Sequence, residues 1–140
     1  MEVKILTSSD LPLMKEILED DDMKFDIGNL ERFINTQDAY GFIVKLDGKI
    51  VGFAYGYSLV RPDGKVMFYL HSIGILPEEQ NKGFGSKLME YILKFAKENN
   101  FSELFVITDK GNPRACHLYE KFGGKNDYED EIVYVYDFKK

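Results

Sequence analysis

Residues 66–107 constrain the possible folds of this chain more than any other stretch. An apolar run from Val66 to Leu76 leads through a glycine-bearing loop into a segment of helical periodicity starting at Gly85, and then into a second short apolar run, Leu104 to Ile107. In the helical segment Leu88, Met89, Ile92, Leu93, Phe95 and Ala96 fall on one side. Lys87, Glu90, Lys94, Lys97 and Glu98 fall on the other, as an amphipathic helix requires. Strand, helix and strand in that order need a crossover, and a crossover sets the two strands parallel. The nearly unbroken apolarity of Val66 to Leu76 predicts a strand covered on both faces.

Two further β-rich runs precede it, Tyr40 to Leu46 and Ile50 to Val60, separated by turn signals at Asp47-Gly48 and around Pro62-Asp63-Gly64. Together the three predict an antiparallel meander. A short strand is expected at Val3 to Leu6. A helix capped by Ser9 or Asp10 should follow, with Leu11, Met14, Ile17 and Leu18 at helical spacing. Leu30, Phe33 and Ile34 suggest a second short helix after Gly28-Asn29. Past the crossover, Asn112 and Pro113 open a helix that runs to Phe122, and Ile132 to Phe138 reads as a last strand with tyrosines at alternate places. The expected fold is therefore α/β (an α+β mixed sheet), a meander joined to a parallel strand pair with helices on both faces. At 140 residues the whole of 1–140 fits one domain.

Charge and cysteine content bound the partners. Eighteen Lys and Arg stand against 24 Asp and Glu, a net charge of −6, so no nucleic acid or anionic membrane surface is expected as a partner. A cationic partner suits the chain better. The single Cys116 closes no internal disulfide and no Cys/His spacing resembles a metal site. The first residues lack a basic segment followed by a long apolar one, and no apolar run reaches the ~20 residues of a membrane helix. These features favour a cytoplasmic location.

The loop before the long helix carries the chemistry: Gln80-Asn81-Lys82-Gly83-Phe84-Gly85-Ser86. Glycines just ahead of a helix gather unpaired backbone N–H groups and the positive end of the helix dipole at one point, where a pyrophosphate fits. Neither the dinucleotide pattern G-x-G-x-x-G, whose third glycine would be Leu88, nor a Gly-Lys-Ser/Thr motif is present.

Gln80-x-x-Gly83-x-Gly85 resembles the Q/R-x-x-G-x-G/A signature of the GNAT superfamily of acetyl-CoA-dependent N-acetyltransferases, and Ile73-x-Ile75-x-Pro77 resembles the strand ending that precedes it. Asn112-Pro113-Arg114-Ala115-Cys116-His117-Leu118-Tyr119-Glu120-Lys121-Phe122-Gly123 is similar to the family's N-x-x-A-x-x-L-Y-x-K-x-G helix. Pro113 to Gly123 and Glu131 to Phe138 also resemble the aminoglycoside 3-N-acetyltransferases within that family.

The resemblance implies a GNAT fold and acetyl-CoA as cosubstrate. It implies that backbone groups at Ile73 and Ile75 meet the pantetheine arm and that Gln80, Asn81, Lys82, Gly83, Phe84, Gly85 and Ser86 hold the pyrophosphate. Asn112 would lie beside the cofactor, and Gln80 in place of the commoner arginine would leave the phosphates one cation short. Tyr119 stands where the family has its proton donor, and a phenol stays protonated at neutral pH. His71 resembles a strand histidine of the arylalkylamine N-acetyltransferases and would be the general base, although a histidine on a buried strand is also a common core residue. Direct attack of a primary amine in a ternary complex is expected, since no activated nucleophile is visible. The alternative is a CoA-binding sensor or structural module without turnover; a pure protein-interaction domain would bind no CoA at all.

The expected acceptor is a small, cationic amine. Asp20-Asp21-Asp22 and Asp26 would border its site, or else form a solvated loop, and Glu129-Asp130-Glu131 carries the same two readings. Tyr55, Tyr57 and Tyr69 on the meander could line an acceptor pocket. Cys116 and His117 are neighbours on a helix and do not face each other, so they are no nucleophile and base pair. A homodimer is left open.

Overall fold

A computed structural model describes residues 1–20, 26–127 and 130–139, apart from the side chains of 17–20. Strand β1 (Glu2–Ile5) leads through a 3-10 turn (Ser8–Asp10) into helices α1 (Leu11–Asp20) and α2 (Ile27–Ile34). The meander follows as β2 (Ala39–Leu46), β3 (Lys49–Val60) and β4 (Val66–Ile75), then a 3-10 turn (Pro77–Glu79), α3 (Phe84–Glu98), β5 (Glu103–Val106) and α4 (Pro113–Lys121). The five strands lie in chain order in one sheet. β1 to β4 pair antiparallel and β4 pairs parallel with β5, the mixed sheet that the crossover demands.

Two buried clusters flank the sheet. Phe42, Ala54, Phe68 and Leu70 meet Leu88, Met89 and Ile92 of α3 on one face. On the other, Ile43, Ile50 and Phe53 meet Leu6, Met14 of α1 and Leu30 of α2. Residues 42, 43 and 44 are all wholly buried because alternate side chains of β2 go to opposite cores.

Two bulges break the strict alternation. Val44 faces Gly52 but Lys45 faces Ile50, which leaves Val51 as an extra residue in β3. Tyr55 faces Ser72 but Gly56 faces Leu70, which makes His71 the extra residue in β4. A Cβ at Gly56 would lie 2.3 Å from the carbonyl oxygen of Tyr69, so only glycine lets the two backbones approach at this bulge. The bulge exchanges the faces of β4: Phe68 and Leu70 before it and Ile73 and Ile75 after it all pack toward the α3 core.

The structure corrects three expectations. β4 is not covered on both faces along its length, because His71 and Ser72 at the bulge are exposed. Residues 132–138 form no strand; they are unpaired and every described residue from Glu131 to Lys139 is exposed. A strand needs a partner as well as a β-rich sequence, and this segment stands off the sheet. Ser9 and Asp10 lie inside the 3-10 turn before α1, whose N-cap is Thr7; the Asp10 carboxylate reaches back to accept from the Thr7 N–H at 2.9 Å and is only 1% exposed. Its carboxylate is gripped by Lys4 and Lys45, each at 2.9 Å, which ties β1 and β2 to the start of α1. Burial alone would push this carboxyl up, but the Lys45 ammonium, the Thr7 N–H and the Lys4 ammonium together bring its pKa down from 3.8 to about 2.

Candidate active site

Asn81 (φ 63°) and Gly83 (φ 87°) both adopt the left-handed region in the loop after β4, which glycine takes freely and asparagine tolerates. Gly83 is the N-cap of α3. The N–H groups of Phe84, Gly85 and Ser86 therefore have no acceptor within the helix, and the positive end of its dipole lies among them. A Cβ at Gly83 would meet nothing within 4 Å, and one at Gly85 only ordinary contacts, 3.8 Å from Leu118 and 3.9 Å from Ile75. Gly83 is needed for its backbone angle. At Gly85 neither angle nor packing demands glycine, so the space above the amides suits a ligand that lies close to the backbone, as CoA phosphates would.

Helix α4 completes this cradle. Asn112 caps it, its Oδ1 accepting from the Ala115 N–H at 3.1 Å, so the residue expected beside the cofactor spends its oxygen on the helix start. Gln80 donates from Nε2 to the Ile75 carbonyl at 3.0 Å and accepts from Arg114 through Oε1. Lys121 donates to Ser86 Oγ at 3.0 Å. Arg114 and Lys121 are seven residues apart, two helical turns, and so reach the loop from one face of α4. Gln80 therefore has an arginine of another element beside it. Lys121 is the lysine of the α4 motif, but the sequence gives neither residue a role at the loop, and only their spacing signals a shared face. Lys82 instead pairs with Glu79 at 3.1 Å.

Tyr119 lies on the half-buried side of α4, against the same core as Ile73, Ile75 and Leu118. Burial of its ring, and to a smaller degree Cys116 nearby, pushes its phenol pKa above the usual 10, which keeps the O–H protonated. Cys116 Sγ lies 3.6 Å from the Asp109 carbonyl, paired with no base.

On the opposite face of the sheet a row of rings runs from α2 to β5. Phe33 meets Tyr55 and Tyr57 edge-on at 5.8 and 6.0 Å between centroids. Tyr55 stacks on His71 at 5.0 Å, His71 meets Tyr69 edge-on at 5.6 Å, and Tyr69 stacks on Phe105 at 4.9 Å. His71 is therefore no core residue: the bulge re-aims it onto the exposed face among the meander tyrosines. Burial, then Tyr57 and Tyr69 nearby, pushes the Tyr55 phenol up. One end of the row opens into a cavity of about 500 Å³ whose walls include Phe33, Phe53, Tyr55 and Tyr57, with Asp26 and Arg32 from α2. Asp26 also caps α2, accepting from the Asn29 N–H at 2.9 Å. Asp21 and Asp22, the Asp20 side chain and Glu129 lie outside the described residues. Among the described residues, no group of three His, Cys, Asp or Glu could hold a metal, and no helix is long and apolar enough to cross a membrane.

Between the two faces the sheet opens. Pairing of β4 with β5 stops at Leu70 opposite Val106, whereas pairing with β3 runs on to Ile75 opposite Gly52. The β5 side of residues 71–75 thus faces a gap, with Tyr119 toward the α3 face of the sheet and His71 on the other. The sequence model of the acetyltransferase (GNAT) family matches residues 10–124, which takes in the meander, the loop, the gap and α4. The chain belongs to the GNAT family.

Several acetyltransferases resemble it along much of its length. An uncharacterized N-acetyltransferase of Archaeoglobus fulgidus is 31% identical over 101 residues, covering 69% of this chain and 67% of that one. The spermidine N(1)-acetyltransferase of Escherichia coli K12 is 28% identical over 94 residues, 66% of this chain, but the match spans only 49% of that enzyme. Among solved structures, an aminoglycoside acetyltransferase from an uncultured soil metagenomic sample, crystallised with sisomicin, superposes with a TM-score of 0.78 at 26% identity, covering 99% of this chain and 96% of that one. The GNAT fold and the N-acetyltransferase class expected from the motifs both stand.

Proposed function

We propose that this GNAT domain moves an acetyl group from acetyl-CoA to the primary amine of a small, cationic acceptor by direct attack in a ternary complex. The observation that carries the proposal is the unbroken row of rings from the α2 cavity to His71, ending at the gap whose far side holds Tyr119. Acetyl-CoA supplies the acetyl thioester. The amides of Phe84, Gly85 and Ser86, with Arg114 and Lys121, hold its phosphates, and the open side of residues 71–75 receives the pantetheine arm.

An amine reaches the site as an ammonium and must lose a proton before it attacks. His71, exposed beside Tyr55, accepts that proton directly or through one water. Tyr119 Oη donates a proton to the departing thiolate sulfur, a role for which its raised pKa keeps it loaded. In the cavity the ring faces of Phe33, Tyr55 and Tyr57 attract a second ammonium group, and the Asp26 carboxylate pairs with it. Arg32 on the same wall disfavours a bare chain of ammonium groups and favours an acceptor with hydroxyl oxygens beside its amines. Similarity to an aminoglycoside acetyltransferase and to a spermidine acetyltransferase supports a cationic amine of this general kind.

Thiol release from acetyl-CoA over a panel of monoamines, polyamines and amino sugars tests the proposal, with CoA binding titrated in parallel. Turnover that is fastest with hydroxylated polyvalent amines supports it. CoA binding with no turnover on any amine would make the chain a CoA-binding module instead. Asp26→Asn keeps the α2 cap, since asparagine caps as well as aspartate. It should nevertheless raise KM several-fold for a multiply charged acceptor and leave KM for a monoamine unchanged.

A further inference from the structure

Phe33, Tyr55 and Tyr57 stand at right angles to one another. Their planes meet at 83° for Phe33 and Tyr55, 85° for Phe33 and Tyr57, and 90° for Tyr55 and Tyr57, with centroids 5.8, 6.0 and 6.2 Å apart. Tyr55 and Tyr57 are alternate residues of β3 and so share a sheet face, where rings on one strand can lie near parallel, as Phe53 and Tyr55 do at 26°. The register shift of the β3–β4 bulge falls between Tyr55 and Gly56, and the added twist of a bulge accounts for the quarter turn from one tyrosine to the next. Phe33 of α2 closes the third side.

All three rings are half-buried, and all three line the α2 cavity. Three perpendicular walls at almost equal spacing make the corner of a box. A cation seated in that corner would lie about 4 Å from each ring centre, inside the ~6 Å at which a ring face attracts positive charge. Asp26 and Arg32 bring one charge of each sign to the cavity wall, so the choice between kinds of ammonium falls to the rings. A bare ammonium would leave behind hydrogen bonds to water that ring faces do not replace. An N-methylated ammonium has fewer or none to lose, and its methyl groups bury apolar surface against the rings.

We infer that the corner formed by Phe33, Tyr55 and Tyr57 binds an N-methylated ammonium group, carried by the acceptor at the end away from its reacting amine. The inference rests on the acetyl-transfer reading for what the acceptor does, but binding of the methylated group can be read without it. His71 stacks on Tyr55 at 5.0 Å, which sets the corner at most about 9 Å from the imidazole centre. A spacer of about three to five carbons would then let the primary amine of the same molecule reach His71.

Proton NMR of the ligand reads the corner with no turnover. The N-methyl signal of choline should broaden and move upfield as the protein is added, through the ring currents of the three walls. The neutral isostere of choline, with carbon in place of the nitrogen, should bind more weakly by about fivefold or more. Tyr57→Phe keeps the ring face and should keep the affinity. Tyr57→Leu removes the face and should weaken choline by about fivefold or more, with a melting temperature close to that of wild type. In turnover, aminopropyl-trimethylammonium should exceed both diaminopropane and the neutral amine with carbon in place of the quaternary nitrogen by about tenfold in kcat/KM. Equal binding of choline and its neutral isostere by the wild type would overturn the inference. So would a folded Tyr57→Leu variant of unchanged affinity, or faster turnover of diaminopropane. No turnover of any amine, with choline still held through the rings, would instead overturn the acetyl-transfer reading and leave the methylammonium site standing.

Discussion

Arg114 donates a hydrogen bond to the side-chain oxygen of Gln80, 34 residues earlier in the chain. Gln80 passes the link on to the carbonyl of Ile75, so one glutamine joins the end of β4, the start of the glycine loop and helix α4. A guanidinium held in this way is ready to turn toward phosphate oxygens, for which its planar fork is suited. Arg114→Gln should raise the CoA dissociation constant by about tenfold, equivalent to ~1.4 kcal/mol. The effect should shrink at high salt. A titration of CoA at two ionic strengths checks both.

Gly85→Val tests the cradle without straining the backbone, because Gly85 has no left-handed angle and its Cβ would meet only ordinary contacts. The melting temperature should stay within a few degrees of wild type while CoA affinity drops at least tenfold, measured by calorimetry. An unchanged affinity in the folded variant would remove the phosphates from this loop.

Tyr119→Phe deletes a single hydroxyl on the half-buried face of α4. CoA binding should persist and kcat should fall by roughly 10²–10⁴, the range for loss of a general acid. Since burial raises the phenol pKa above 10, wild-type kcat should not decline on account of this group until the pH exceeds 10. Stopped-flow measurement of thiol release isolates the chemical step.

His71→Gln separates the base from the ring row. If His71 takes the proton, the variant loses most of its rate at neutral pH and recovers it as the pH rises and the acceptor amine loses its proton in solution. A pH profile of unaltered shape in the variant would mean that His71 serves only to stack on Tyr55.

Asp10 makes folding stability depend on acid. Its folded pKa of about 2 lies below the usual 3.8, so its contribution is complete above pH ~4 and disappears as the pH falls toward 2. The shift corresponds to about 2 kcal/mol. Urea denaturation should show wild type losing that much between pH 5 and 2. Asp10→Asn should begin with a loss of similar size at pH 7 and lack this part of the acid dependence.

Periodicity and motif spacing are local properties, and what depends on them was legible. The meander turns at Asp47-Gly48 and around Pro62-Asp63-Gly64, the amphipathic α3, the Asn112-Pro113 start of α4 and the parallel β4–β5 pair all lie where the sequence puts them. The same holds for the glycine loop, because a left-handed Gly83 ahead of a helix is a matter of a few consecutive residues. Other features depend on which elements meet. The bulge that turns His71 out of the core depends on a one-residue mismatch between β3 and β4, and nothing within β4 alone signals it. Asp10 looks like an ordinary helix cap until the sheet brings Lys4 and Lys45 to it. Arg114 becomes a partner of the loop only when α4 is brought up to the start of α3. Residues 132–138 show the limit most directly: their alternation specifies a strand, but a strand forms only where another edge offers its hydrogen bonds, and that is decided by the tertiary structure.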